Sequence, residues 1–162
     1  MDDQIIKTVT EHIDVFGNKI EQFRSKNMMI IKNEAELEKI PTSGGCYWIA
    51  TAMPIDKFDS EKFEKKMRLN TPMRTKIIKQ DLDDKYYIIY NGTEGNLRKR
   101  IGQHLFNQGH EKTGKLGLVI DQDPYNKYEW YIYWYEIDDV ILRNAMEIWW
   151  RYRIGWPVFC KR

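Results

Sequence analysis

Cysteine is scarce in this chain: its 162 residues include only Cys46 and Cys160, which form no CxxC pair. Two thiols without histidines at ligand spacing are too few for a structural zinc site, and reduced thiols fit the cytoplasm. Long apolar runs are missing as well. None approaches the roughly 20 residues that a membrane helix needs, and the first residues, with Asp2 and Asp3, form no apolar leader. We therefore expect a soluble, cytoplasmic protein with no membrane partner. Excess charge of one sign is also lacking. Lys and Arg number 26 against 24 acidic residues, a net charge of +2, so any attraction for nucleic acid has to be local. No internal repeat or low-complexity stretch is present.

What the chain has is apolar and aromatic material, 42% and 14% of residues, enough at this length for one sizeable core and short for two. From Gln4 to Phe23, Ile5, Ile6, Val9, Ile13, Val15, Phe16, Ile20 and Phe23 recur near helical spacing, which predicts an amphipathic helix docked by one face. Met28 to Ile31 is a short strand candidate. Asn33 to Ile40 reads as helical turns capped by Asn33 and ended by Pro41. Cys46 to Ala50 and Tyr86 to Tyr90 are β-favouring and belong to one sheet, with Tyr128 to Ile137 a third strand. Asn96 to Phe106 carries Leu97, Ile101 and Leu105 in an i, i+4, i+8 row, so Arg100 and His104 share a neighbouring strip of that helix. Gly109 to Gly117 is a polar loop. Val140 to Arg153 is a helix that Asp138 or Asp139 caps and Gly155 and Pro157 stop.

Between the first two strands lies a segment of different character. Lys62, Lys65, Lys66, Arg68, Arg74, Lys76 and Lys79 crowd around Asn70-Thr71-Pro72, the local positive charge that the total conceals.

Gly45-Cys46-Tyr47, followed by Tyr90-Asn91-Gly92, Asn96-Leu97, Arg100 and His104, with Glu147 on a late helix, resembles the GIY-YIG nuclease signature. The resemblance spans Gly45 to Ala50 and Tyr86 to Phe159, and its most specific part is the order Tyr-x-Gly, Asn-Leu, Arg, His. It implies an α/β (α+β) domain over residues 1–162. A small mixed or antiparallel sheet would be flanked by helices, with 1–43 as a helical extension and 54–85 as an insertion between the tyrosine motifs. The implied chemistry is phosphodiester hydrolysis, which needs an activated water, neutralised phosphate charge and help for the departing oxygen. Arg100, with its permanent planar charge, corresponds to the arginine at the scissile phosphate. Glu147 corresponds to the single metal anchor, a hard oxygen ligand suited to magnesium or another divalent cation such as manganese. Tyr47 and Tyr90, expected at the ends of neighbouring strands, correspond to the site's two hydroxyls. A tyrosine titrating near 10 needs charged neighbours to act as a base. His104 is placed to accept a proton from Tyr47 or water. Gly92 reads as the turn residue after its strand and Asn96 as the cap of the next helix.

Each residue also has a plainer explanation. Arg100 and His104 suit a solvated helix face, Tyr47 and Tyr90 suit core packing, and Glu147 suits an ion pair with Arg143 or Arg151, each four positions away. The basic cluster suits a solvated surface, and Trp130, Trp134, Trp149, Trp150 and Trp156 suit the core rather than a base-stacking platform. The chain departs from the family where Asn91 and Cys46 hold the middle motif positions, both read as weakly constrained. It departs again where Pro157-Val-Phe159 leads to Cys160 instead of an asparagine.

The insertion points to the restriction branch of the family. The expected activity is a type II-like, site-specific endonuclease acting on double-stranded DNA, with a two-fold homodimer the simplest arrangement for cutting both strands. Lys62, Lys65, Lys66 and Lys79 of the insertion are expected to contact DNA, and Arg68, Asn70, Arg74 and Lys76, together with Lys112 and Lys115, are candidates for reaching base edges. The alternatives are a structure-selective repair or mobile-element nuclease and, from another class, a catalytically silent nucleic-acid-binding domain.

Overall fold

A computed structural model describes residues 3–23, 27–58, 78–79 and 86–160. Its organising element is β2 (Gly45–Thr51), in which every residue is buried. Such an unbroken apolar run marks a strand covered on both faces. Cys46, Trp48 and Ala50 face one core, with Met146 and Trp150, while Tyr47 and Ile49 face another, with Leu97, Ile101 and Leu105. The fold is α+β, with helices on both faces of an antiparallel sheet.

The sheet order is β1-β5-β2-β4-β3, formed by Met28–Ile30 (β1), Ile78–Lys79 (β3), Tyr87–Glu94 (β4) and Trp130–Glu136 (β5) with β2, and every described pair is antiparallel. The 1–43 segment is therefore not wholly helical, because β1 pairs with β5, setting Met28 opposite Tyr133. Most of the 54–85 insertion, including Lys62, Lys65, Lys66, Arg68, Asn70, Arg74 and Lys76, lies outside the described residues; Lys79 enters only through the backbone of β3.

Helix α1 (Asp3–Phe23) has the expected apolar face, but only part of it is docked. Ile13 and Phe16 pack on the core, and Gly17 lets the helix approach Trp149, whose ring would lie 2.5 Å from an added Cβ. Ile5, Ile6 and Val9, earlier in the same helix, are exposed. Asn33 occupies the N-cap position of a 3-10 turn, Glu34–Lys39, without the expected side-chain bond. The Glu36 N–H instead bonds the Asn33 carbonyl at 3.2 Å, and the Glu36 carboxylate accepts from the Lys32 N–H, just ahead of the turn, at 2.7 Å.

Helices α2 (Leu97–Leu105) and α3 (Val140–Ile154) both begin with the caps read from the sequence. Asn96 accepts from the Lys99 N–H at 2.9 Å and Asp139 from the Leu142 N–H at 2.7 Å. Trp130 and Trp150 are core residues, each 1% exposed. No helix among the described residues is long and apolar enough to cross a membrane.

Because α2 is only nine residues long, its cap is a large share of what holds it. Asn96→Ala should lower stability by about 1 kcal/mol in urea denaturation.

Candidate active site

The site begins with an irregularity in β4. Ile49 of β2 pairs with Tyr90 and Ala50 with Ile88, so Ile89 is an extra, unpaired residue. Such a bulge sets two residues against one and shifts side-chain alternation by a step. Tyr90 and Gly92 consequently share the α2 face with Tyr47, while Asn91 and Thr93 share the α3 face with Cys46 and Trp48. The two tyrosines stand within paired strands and not at strand ends, their rings stacked 6.0 Å apart. Gly92 lies in the strand directly opposite Tyr47, so it is not a turn residue. A Cβ there would come within 2.9 Å of the Tyr47 hydroxyl, and glycine is what lets that hydroxyl seat.

On the α2 face, Arg100 and His104 project toward these rings from one strip of the helix. Arg100 is partly buried, with Nη1 donating to Gln103 Oε1 and Nη2 to the Gly114 carbonyl, both at 2.9 Å. His104 is fully buried behind Tyr47, its Nε2 2.9 Å from the Tyr47 hydroxyl. The Leu116 N–H donates to His104 Nδ1 at 3.0 Å, which makes Nδ1 the acceptor and leaves the ring proton on Nε2. His104 therefore donates to Tyr47. The sequence leaves the direction of proton flow open; with Nδ1 accepting from Leu116 and Nε2 carrying the proton, a neutral His104 meets Tyr47 as a donor and not as the acceptor of its proton.

On the α3 face, Glu147 Oε2 accepts from the Thr93 hydroxyl at 2.9 Å and Oε1 pairs with Arg151 Nη2 at 2.5 Å. Of the two arginines named for an ion pair, Arg151 makes it. Arg143 turns instead toward the Ile137 carbonyl. Arg151 is itself buried, donating through Nε to Asn91 Oδ1 at 2.8 Å and through Nη2 to the Asn91 carbonyl at 3.0 Å, with its guanidinium over the Trp156 ring. Asn91, read as weakly constrained, is thus the anchor of a buried cation. Cys160 completes the set: its Sγ accepts from the Asn91 N–H at 3.3 Å.

The two faces meet around the β4 edge in a cleft of 790 Å³. Tyr47, Tyr90, Arg100 and Glu147 all line it, with Gly92, Thr93, Arg151 and the loop of Gly114 to Gly117. Of the DNA-contact candidates within the described residues, Lys115 lines the cleft, but its ammonium bonds the carbonyls of Asn107, Gln108 and Gly109. Lys112 is exposed on the same loop.

Burial raises the Tyr47 hydroxyl well above its ordinary value near 10, and neighbouring Tyr90 adds to this while Arg100 opposes it. Tyr90 is raised by burial and then by Cys160, again against Arg100. Burial also pushes the thiols up, to about 12 for Cys46 and about 11 for Cys160, so neither is a thiolate at neutral pH. Neither thiol lines the cleft, whose side-chain donors include the Glu147 carboxylate and the Thr93, Tyr47 and Tyr90 hydroxyls, oxygens of the kind a small hard cation prefers. Among the described residues no three His, Cys, Asp or Glu side chains cluster as metal ligands. Of the carboxylates lining the cleft, Glu147 and the exposed Glu111, Glu147 is the one beside the strand of Tyr90, and it would hold a divalent ion with water or substrate oxygens completing the shell, as magnesium accepts.

Thr93, Asn91 and Arg151 were missed as functional candidates. Only Arg151's i, i+4 spacing from Glu147 hinted at its place. Comparison with family models, with curated proteins and with solved structures finds no match for this chain.

Gly92→Ala should displace the Tyr47 hydroxyl from His104, costing about 1–3 kcal/mol of stability as overpacking does. Thermal denaturation measures the loss, and the His104 Nε2–H resonance should shift with it.

Proposed function

We propose that this chain is a metal-dependent DNA endonuclease of the GIY-YIG type, hydrolysing phosphodiester bonds as a type II-like, site-specific restriction enzyme. The observation that carries the reading is the convergence of Tyr47, Tyr90, Arg100 and Glu147 on one cleft, the tyrosines from two paired strands and the other two from helices on opposite faces of the sheet. That convergence joins the residues of the sequence resemblance and no arbitrary subset of the surface.

In this reading Arg100 exchanges the Gly114 carbonyl for a phosphate oxygen, a charged acceptor replacing a neutral one. Tyr47 is the general base toward water. The base is the phenolate formed when Tyr47 releases its proton to solvent in the cleft; held by the His104 Nε2–H bond and the nearby Arg100 charge, it takes the proton of the attacking water. Tyr90 closes the other side of the cleft and orients the attacking water. Glu147 would hold a magnesium ion, which when bound would supply Lewis-acid stabilisation of the departing oxygen. Cutting both strands calls for a two-fold homodimer, for which the exposed apolar residues of α1 offer a surface.

Purified protein incubated with plasmid DNA and magnesium tests this directly. Discrete fragments fit restriction, branch-dependent cuts fit a repair or mobile-element nuclease, and binding without cleavage fits a silent module. Glu147→Gln should abolish cleavage while DNA binding persists; continued cutting would remove the metal role from Glu147.

The pH dependence follows from Tyr47. A base whose folded pKa lies above its usual value is scarcely ionised at neutral pH, so its active fraction grows about tenfold per pH unit. Single-turnover rates should climb with pH without levelling below about pH 10, and Tyr47→Phe should flatten that slope and lower the rate by at least about 100-fold.

A further inference from the structure

Arg151 belongs to no part of the sequence signature, yet it is the most completely held charged side chain in the cleft. Its guanidinium is fixed on one side by both oxygens of Asn91 and stacked on Trp156, and on the other it meets Glu147 Oε1. An arginine anchored at so many points cannot follow Glu147 if that carboxylate turns. The carboxylate is pinned in turn, because Thr93 holds its other oxygen.

We propose that Arg151 is a positioning residue that sets which divalent cation the site accepts. This rests on the nuclease reading above, in which Glu147 is the metal anchor. Both carboxylate oxygens are engaged, but unequally: the neutral Thr93 hydroxyl can turn to Asn144 Oδ1, 3.2 Å away, and yield Oε2, whereas the buried, anchored Arg151 stays on Oε1, so Glu147 offers a metal Oε2 alone. Calcium takes more oxygen ligands in flexible geometry and readily uses both oxygens of a carboxylate. Magnesium keeps a compact octahedral shell and is content with one carboxylate oxygen plus waters. Arg151 thus withholds the second oxygen that calcium would use. Its own positive charge lowers the affinity for either ion alike, so the ratio of the two affinities, and not either affinity alone, reports the positioning effect.

The test is titration of the wild-type protein and of R151M with magnesium alone and with calcium alone, without DNA, followed by calorimetry and by the metal-induced rise in Tm. R151M should favour calcium relative to magnesium on the order of tenfold more than the wild type, the scale on which outer-sphere changes move metal affinity. An unchanged ratio in a folded R151M overturns the proposal and leaves the nuclease reading standing. A wild-type protein that binds neither ion, with or without DNA, overturns both. Should R151M fail to fold, R151K takes its place. Lysine keeps the charge but not the planar fork that grips Asn91, and the ratio should move in the same direction by a smaller factor, with no movement again counting against the proposal.

Discussion

One unpaired residue, Ile89, governs the geometry of everything around it. A strand alternates its side chains, and in a regular ladder Tyr90 would fall on the opposite face from the Tyr47 pair it now joins. The bulge lets Ile89 and Tyr90 both face α2 and returns Asn91 to the α3 side. From that single offset follow the stacked tyrosines, the open position opposite Tyr47 that only glycine leaves free, and the presentation of Asn91 and Thr93 to Arg151 and Glu147. The cleft can draw on both layers of the protein because the strand beneath it changes step.

The two layers contribute different chemistry. The α2 side supplies hydroxyls, an imidazole and a guanidinium stacked in a nearly dry environment, where charge formed on Tyr47 has only His104 and Arg100 to meet it. The α3 side supplies a carboxylate already balanced by a buried cation, so its negative charge is not left bare in a low-dielectric setting. Each half is internally compensated, which is what lets opposite charges sit in one cleft without collapsing onto one another.

Much of this was readable from the residues. Helices α2 and α3, their Asn96 and Asp139 caps and the three main strands follow from spacing and capping chemistry, because those are local rules. The meeting of Tyr47, Tyr90, Arg100 and Glu147 was legible through their order in the chain. What sequence could not give was the bulge, since Ile88 and Ile89 are alike as apolar residues and nothing local says which goes unpaired. The role of Gly92 was misjudged for the same reason: a glycine beside a strand looks like a turn until the opposing tyrosine is seen. The direction of the His104 bond depended on a backbone N–H, that of Leu116, twelve residues further along. Asn91 was discounted because its value lies wholly in a partner 60 residues away.

The last described residues lie along β4 in a way that bears on what the protein can meet. The Phe159 N–H bonds the Ile89 carbonyl, and Cys160 satisfies the backbone N–H of Asn91. A bare strand edge presents a row of donors and acceptors onto which another polypeptide can zip. Here that row is taken up by the chain itself beside the cleft, and what remains on offer is side-chain chemistry. At Ile89 and Asn91 a neighbouring protein strand would have to displace these bonds, whereas a ligand that brings its own charge and has no amides to pair loses nothing by the arrangement.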